Sequence, residues 1–419
     1  MKVVVTNPSI APHIRQSLLA YNEAGYLLKF YTSFVHYPGS KLPLFLKVFK
    51  PLRSILSRRS LEGIPSDKII MRPLPELLRS ISARIFSPQI TDAIWEWSEL
   101  GFDRWAAAKI KHSDDVIHTY EHAALSTLIK SRRLNLFSVY EQPSQYHSFF
   151  SEIAKHQMKL YPELDGSATG LLVNEKAKRR NRRRDQELTL ASLILCNSTF
   201  TKNTLVASGI PSSKIRIIPL AFPEVIDSDK PARMNSPVTF LYAGNQSLRK
   251  GSHLLYEAWK LCEFKEEEAK LLLVGKMLLP AHLRSDLPGK VVIRGNIPHE
   301  EMMEVYRQAD IFVLPTLADG FGMVVTEAMS QGVPVIASVN SCGPDVIDHT
   351  QDGWLIPAGD LSALVAQMKW CVKNRNQLNN FSKSARQKAL SWQWPQYRQL
   401  LTETIYGEWQ KFKNKDLSV

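Results

Sequence analysis

Short, nearly uninterrupted apolar runs recur along the chain at positions 3–6, 27–32, 116–120, 137–140, 193–196 and 215–219, then at 239–243, 271–274, 291–294, 311–315 and 333–337. Each is followed by a longer stretch whose apolar residues fall at helical spacing. A strand that is apolar on both faces has to be covered on both faces. Alternation of such strands with helices therefore predicts an α/β chain built on parallel sheets, with helices on either side. The runs are numerous enough for two sheets, and 419 residues exceed the size at which a single core usually divides.

The pattern lapses between 221 and 237, where Pro223, Pro231 and Pro237 accompany five charges with little periodicity, as expected of a linker. This places one domain at 1–221 and a second at 236–394. Near the end, Trp392 to Pro395 interrupts one helical pattern, and from Tyr397 to Phe412 large apolar residues recur at helical intervals. This last helix, at about 396–419, is expected to return to the first domain.

Charge adds a constraint on partners. A formal net charge of +13 with a pI near 9.4 calls for an anionic partner: nucleic acid, anionic lipid or a phosphorylated small molecule. Residues 37–60 carry Lys41, Lys47, Lys50, Arg53, Arg58 and Arg59 with no acid. Phe45, Val48, Phe49, Leu52, Ile55 and Leu56 fall there at helical spacing, interrupted by Pro51. Two readings stand: a helix lying on an anionic membrane surface, or a helix packed on the first domain with a solvated basic rim. A second cluster, Lys178, Arg179, Arg180, Arg182, Arg183 and Arg184, has no interleaved aromatics for base stacking. It reads as a solvated helix face or as a site for an acceptor phosphate or lipid headgroup; nucleic acid is not the expected partner. Cys196, Cys262, Cys342 and Cys371 are far apart and sit in or beside apolar runs, so they are expected as reduced core residues. No secretory signal pattern opens the chain and no stretch reaches about eighteen apolar residues, so a cytoplasmic protein is expected, for which the two basic stretches leave open a peripheral contact with the inner membrane face.

The candidate chemistry begins at 318–337, directly after an apolar run. Gly320 and Gly322 permit a tight turn and close approach of the backbone. The helix opening near Met323 aims its free amides and positive dipole end at whatever lies before it, which makes an anion cradle. In a parallel-sheet domain ligands bind beyond the carboxyl ends of the strands, where this turn lies. Asp319 precedes the turn and Glu327 sits just over a helical turn inside, so both can accept hydrogen bonds from sugar hydroxyls. A second strand, 240–243, runs into the loop Gly244, Asn245, Gln246, Ser247, Leu248, Arg249, Lys250, Gly251. Arg249 and Lys250 can neutralise a diphosphate.

Asp319 and Glu327 stand at the spacing of the acid-x7-acid motif of family 4 retaining glycosyltransferases, which have the GT-B fold. Glu327, Ala328 and Met329, then Gly332 to Ala337, Gly343, Pro344, Asp345, Gly353 and Pro357 continue that family's pattern. Supporting pieces are Asn197, Ser198, Thr199 and Phe200, the stretches 214–219, 273–275 and 295–298, and Trp392. From about Leu193 through the last helix, the chain resembles this family.

The resemblance implies two Rossmann-like, doubly wound parallel-sheet domains facing each other across a cleft, the first binding the acceptor and the second a nucleoside-diphosphate sugar. It implies Glu327 on the ribose hydroxyls, Asp319 on a hydroxyl of the donor hexose, and Lys250 helped by Arg249 on the diphosphate. Amides of Gly320, Phe321, Gly322, Met323 and Val324 would hold phosphate or sugar, Gly244 and Asn245 would open the phosphate loop, and Arg294 and Asn296 would border the base. It also implies retention of anomeric configuration, with the departing phosphate oxygen taking the acceptor's proton and no metal or cofactor required. Three positions depart from the family. Asp319 stands where Glu is usual, Asn245 where Arg is common, and residues 7–13 lack the frequent pair of glycines.

Family members place a His after a first-domain strand. The nearest match here offers Glu141 and His147 as catalytic candidates, and His13 and His122, which also follow apolar runs, are acceptor-side candidates. Asp227 and Asp229 form an Asp-x-Asp triplet in the linker and are not expected to hold a metal. A nicotinamide oxidoreductase is disfavoured because neither loop has the G-x-G-x-x-G spacing followed by a ribose-binding acid. The remaining alternatives are a nucleotide-sugar epimerase, a phosphorylase-like enzyme, and a nonenzymatic basic protein that binds membrane or nucleic acid.

Overall fold

The structure, a computed structural model, describes residues 1–37, 59–164, 175–228 and 236–416. Of the basic stretch 41–59, all but Arg59 lies outside these residues, and with it the helix expected there. Asp229 of the Asp-x-Asp triplet lies outside them too.

Among the described residues, seven strands form the first sheet: β1 (Val3–Thr6), β2 (Leu27–Thr32), β3 (Ile69–Met71), β4 (Val116–Tyr120), β5 (Phe137–Gln142), β6 (Leu193–Cys196) and β7 (Ile215–Ile217). Their order is β3-β2-β1-β4-β5-β6-β7 and every pairing is parallel. The second sheet contains β8 (Val238–Ala243), β9 (Ala269–Val274), β10 (Lys290–Arg294), β11 (Ile311–Leu314), β12 (Val335–Ser338) and β13 (Gly353–Ile356), ordered β10-β9-β8-β11-β12-β13, again all parallel. In each sheet the order reverses once, between β1 and β4 and between β8 and β11. These are the two topological switch points.

The central strands β4, β8, β11 and β12 are buried at every residue, which is why they read as continuous apolar runs. At the sheet edge β10 is largely exposed. Two strands escaped the sequence pattern. β3 has three residues, too few to show a period. β13 opens on Gly353, whose residue type marks a turn; here a Cβ would come within 2.6 Å of the Val335 carbonyl oxygen in the neighbouring strand, so close strand approach explains the glycine.

The last helix, Trp394–Asp416, lies on the first domain. It packs along Pro12–Glu23, with Tyr26 stacked on Tyr406 at 6.2 Å, Phe412 against Phe137 at 5.4 Å, and Arg398 donating to Glu23 at 2.8 Å. The start of the linker is not loose. Ala221 and Phe222 are buried, the Phe222 amide donates to the Trp392 carbonyl, and the Trp392 indole donates to the Pro219 carbonyl at 3.1 Å. All four cysteines are free and buried.

One helix exposes large apolar side chains. In Pro73–Ile85, Leu74, Leu78 and Ile85 share an exposed stripe. Glu76 instead points inward to Arg59 and Arg79. The stripe continues through exposed Phe86, Ile90 and Trp97 on and before the helix Pro88–Ala107. Among the described residues, no helix is long and apolar enough to cross a membrane.

Candidate active site

The carboxyl ends of the two sheets face each other across a cleft with a cavity of about 780 Å³. Its first-domain wall includes His122, Ser144, His147, Asn181 and Arg184, and its second-domain wall Asn245, Ser247, Arg249 and Lys250. The loops after β4 and β8 both leave a switch point, where adjacent connections diverge and leave room for a ligand. Among the described lining residues there are three cations, Arg184, Arg249 and Lys250, and no carboxylate. Such a cavity favours a polyanion.

On the second-domain wall the two predicted loops interlock. Gly251, with φ of +66°, lies so close to β11 that a Cβ would sit 1.9 Å from the Pro315 carbonyl oxygen. The Arg249 carbonyl accepts the Leu317 amide at 2.9 Å and the Thr316 hydroxyl at 2.9 Å. This close docking brings the Lys250 ammonium onto one oxygen of Asp319, while the Arg249 guanidinium approaches the other at 3.4 Å and the Ala318 carbonyl at 3.3 Å. Asp319 is 8% exposed, and its oxygens still have lone pairs free for a hydroxyl. Eight residues on, Glu327 accepts the buried Tyr306 hydroxyl at 2.9 Å, and burial together with that carboxylate drives the Tyr306 phenol well above its usual range. The helix Met323–Ser330 starts at Gly322, in a left-handed conformation with φ of +81° and no side-chain cap. Its first amides are thus free of a competing side chain. Arg294 and Asn296 are exposed at the end of β10, and with Glu327 and residues 320–324 they lie outside the cavity's described lining.

Gly320 has a different reason for being glycine from the one its sequence context suggests. A Cβ there would lie 1.8 Å from the Pro143 carbonyl oxygen and 2.8 Å from the Ser144 Cα, both in the first domain. Its freedom serves the contact between domains.

On the first-domain wall, His122 is held at φ of +84°, a conformation uncommon outside glycine, in the loop following β4. The Arg184 guanidinium lies over its ring, 3.1 Å from both nitrogens, and pairs with the buried Glu121 at 3.2 Å. Burial, aided by Arg184 and opposed by Glu121, pushes the His122 imidazole down to about 4, so it is neutral near pH 7. His147 shares Asp185 with the Tyr146 hydroxyl, both at 2.8 Å.

Of the other two candidates in this domain, His13 is partly exposed, as His147 is, and Glu141 is buried. Glu141, 1% exposed, sits between the His118 Nε2 at 3.3 Å and the His13 Nε2 at 3.7 Å, on the side of the sheet covered by Pro12–Glu23. Neither carboxylate oxygen has a partner in hydrogen-bonding geometry. Burial pulls the His13 imidazole down against the attraction of Glu141. The structure therefore brings His122, His147, Asn245, Arg249 and Lys250 together, with Asp319 paired to Lys250, and leaves Glu141 and His13 outside the cavity's described lining.

The second basic cluster is divided. Arg180 forms a two-pronged pair with Asp92 at 2.7 and 3.0 Å, Arg183 approaches Glu96 at 3.6 Å, and Arg184 turns into the cleft, while Arg179 and Arg182 are exposed. The sequence reading missed Glu121, Asp185 and Asn181. Glu121 directly follows an apolar run, which was a usable signal. The proximity of Asp185 to His147 arises only from tertiary packing.

One buried acid of this helix predicts a pH effect. Burial, opposed by the Tyr140 hydroxyl and Arg183, raises the Glu187 carboxyl from 4.5 to about 7. The folded chain then holds a proton that the unfolded chain releases, so stability present below pH 4.5 is lost as pH rises through about 7. Glu187→Gln should gain on the wild type across that window, by at most roughly 3 kcal/mol. Denaturant unfolding at pH 5, 6, 7 and 8 checks this, and a difference constant with pH refutes it.

Comparison with known proteins supplies an independent view. Residues 226–388 match the family model described as Glycosyl transferases group 1. The amylovoran biosynthesis glycosyltransferase AmsK of Erwinia amylovora is 30% identical over 186 residues, 42% of this chain and 46% of that protein. The sulfoquinovosyl transferase SQD2 of Arabidopsis thaliana is 29% identical over 134 residues, 31% of this chain and 26% of that protein. The match thus spans less than half the length of either relative. Across the whole fold, the crystal structure of Anabaena Alr3699/HepE in complex with UDP and glucose superposes with a TM-score of 0.62 at 16% identity, covering 97% of this chain and 100% of that one. The two parallel-sheet domains have the GT-B architecture of glycosyltransferases.

Proposed function

We propose that the protein is a retaining, metal-independent glycosyltransferase that moves a hexose from a nucleoside-diphosphate sugar to a glycan or lipid-linked acceptor in surface polysaccharide synthesis. The carrying observation is the convergence, at the second-domain switch point, of Lys250 and Arg249 with Asp319 ahead of an uncapped helix start. In this reading Lys250, Arg249 and the amides at 322–324 hold the diphosphate, Asp319 accepts a hexose hydroxyl and Glu327 the ribose hydroxyls. The acceptor hydroxyl attacks from the face on which the diphosphate departs, and the departing phosphate oxygen takes its proton. The cations and helix end stabilise the charge that grows on that oxygen. Support comes from the family match over the second domain, from the name of AmsK and from the UDP and glucose named for Alr3699/HepE.

Product analysis with radiolabelled donor tests the proposal against an epimerase or a phosphorylase-like enzyme. Label should appear in a glycan or glycolipid; label recovered as an epimerised donor or as free sugar phosphate contradicts it.

The same reading places the protein in the cytoplasm, at the inner face of an anionic membrane. The exposed stripe of Leu74, Leu78 and Ile85 with Trp97 supports this, and the nearby acids Glu76, Asp92 and Glu96 are each drawn to an arginine. The protein should float with phosphatidylcholine vesicles that contain phosphatidylglycerol, and far less with phosphatidylcholine alone. Equal flotation, or none, removes the membrane part.

A further inference from the structure

Two short sequence features, residues 197–200 and 343–345, lie far apart in the chain and in different domains, and neither touches the cleft cavity. In the structure they meet. Ser198 caps the helix Thr199–Ala207, its Oγ accepting the Thr201 amide at 3.1 Å. The amide and hydroxyl of Thr199 both donate to Asp345, at 2.9 and 2.5 Å. The capping hydroxyl of Ser198 donates across the domain boundary to the Gly320 carbonyl, and the Thr201 hydroxyl donates to the same carbonyl at 3.2 Å.

Gly320 belongs to the turn between Asp319 and the helix start at Gly322. Its own domain holds that turn on either side. The Asp319 amide donates to the Asn340 carbonyl at 2.9 Å, and the Phe321 carbonyl accepts the Cys342 amide at 2.8 Å. The carbonyl at the apex is left for the first domain, whose Pro143 also abuts the Gly320 Cα.

We infer that Ser198 and Thr201 are positioning residues. By gripping the Gly320 carbonyl they set the orientation of the peptide between Asp319 and the helix start, so the turn that faces the donor hexose reaches its working geometry only when the first domain is docked. This rests on the proposed donor site. The groups assigned to the nucleotide are held without these hydroxyls: Glu327 by Tyr306, Lys250 by Asp319, and the amides at 322–324 by the helix Met323–Ser330, before which the Phe321 carbonyl is fixed by the Cys342 amide. Nucleotide binding and sugar transfer should therefore separate.

The test uses the full chain. Binding of UDP and GDP is measured by titration calorimetry, and kcat and donor KM are measured with UDP- and GDP-hexoses, for wild type, Thr201→Val, Ser198→Ala/Thr201→Val and Ser198→Thr. Thr201→Val keeps the cap, which uses the backbone amide of Thr201. Expected are a nucleotide Kd within about twofold of wild type, a kcat lower by roughly tenfold in Thr201→Val and more in the double variant, and near-normal kcat in Ser198→Thr. The inference is overturned if kcat is unchanged, or if nucleotide affinity falls in step with kcat, as general damage would produce. A wild-type protein that neither binds nor turns over any nucleotide sugar refutes the proposed function itself, a result distinct from either.

Discussion

Lys250→Ala is expected to reduce kcat for sugar transfer by about 10²- to 10³-fold, the usual consequence of removing a preorganised group that stabilises charge developing in the transition state. The geometry adds a second effect. In the absence of donor the Lys250 ammonium rests on Asp319, a carboxylate 8% exposed, and its removal leaves that carboxylate to Arg249 at 3.4 Å. An under-compensated acid beside the incoming diphosphate repels it, so donor KM should also rise. Steady-state kinetics on Lys250→Ala/Asp319→Asn separates the two effects. If Lys250 acts on the departing phosphate, the double variant stays as slow as Lys250→Ala in kcat while part of the KM defect is relieved. Recovery of kcat in the double variant shows instead that Lys250 merely neutralised Asp319.

Gly320→Ala should cost as much by a purely steric route. The added methyl would lie 1.8 Å from one backbone atom and 2.8 Å from another across the domain boundary, and neither can turn away as a side-chain end would. The domains must shift apart locally. A displacement near an ångström at the reacting centre lowers rates by about 100-fold. The second domain's own core does not include this contact, so nucleotide affinity should remain near that of wild type. Calorimetry with UDP or GDP alongside kcat checks the separation, and wild-type kcat in Gly320→Ala means the domains do not work in the observed arrangement.

Much of this was legible in the residues because parallel-sheet strands advertise themselves. The run at 311–315 could hardly be anything but a strand buried on both faces, and the turn after it had to lie at a sheet's carboxyl end. Asp319, Glu327, Arg249 and Lys250 became candidates for that reason, since they follow strand ends in the sequence. What stayed hidden depends on pairings distant in sequence. Asp319 was read as facing a sugar, with no sign that it also holds Lys250, because that ion pair follows from the tight approach of Gly251 to Pro315. Gly320 was read as letting the backbone approach a ligand, with no sign that it also abuts Pro143. Glu141 follows its strand as a cleft residue would, yet points to the face where His118 and His13 enclose it, a choice of face that one-residue register decides. Thr199 and Asp345 gave no local sign that they would meet.

The most direct measurement is a crystal structure of the protein soaked with the nucleotide sugar that most raises its melting temperature. The account predicts the diphosphate against Lys250 and Arg249 at the start of the helix Met323–Ser330, the hexose over Asp319 and the ribose at Glu327. A donor lodged elsewhere, or a diphosphate that leaves Lys250 untouched, would contradict it.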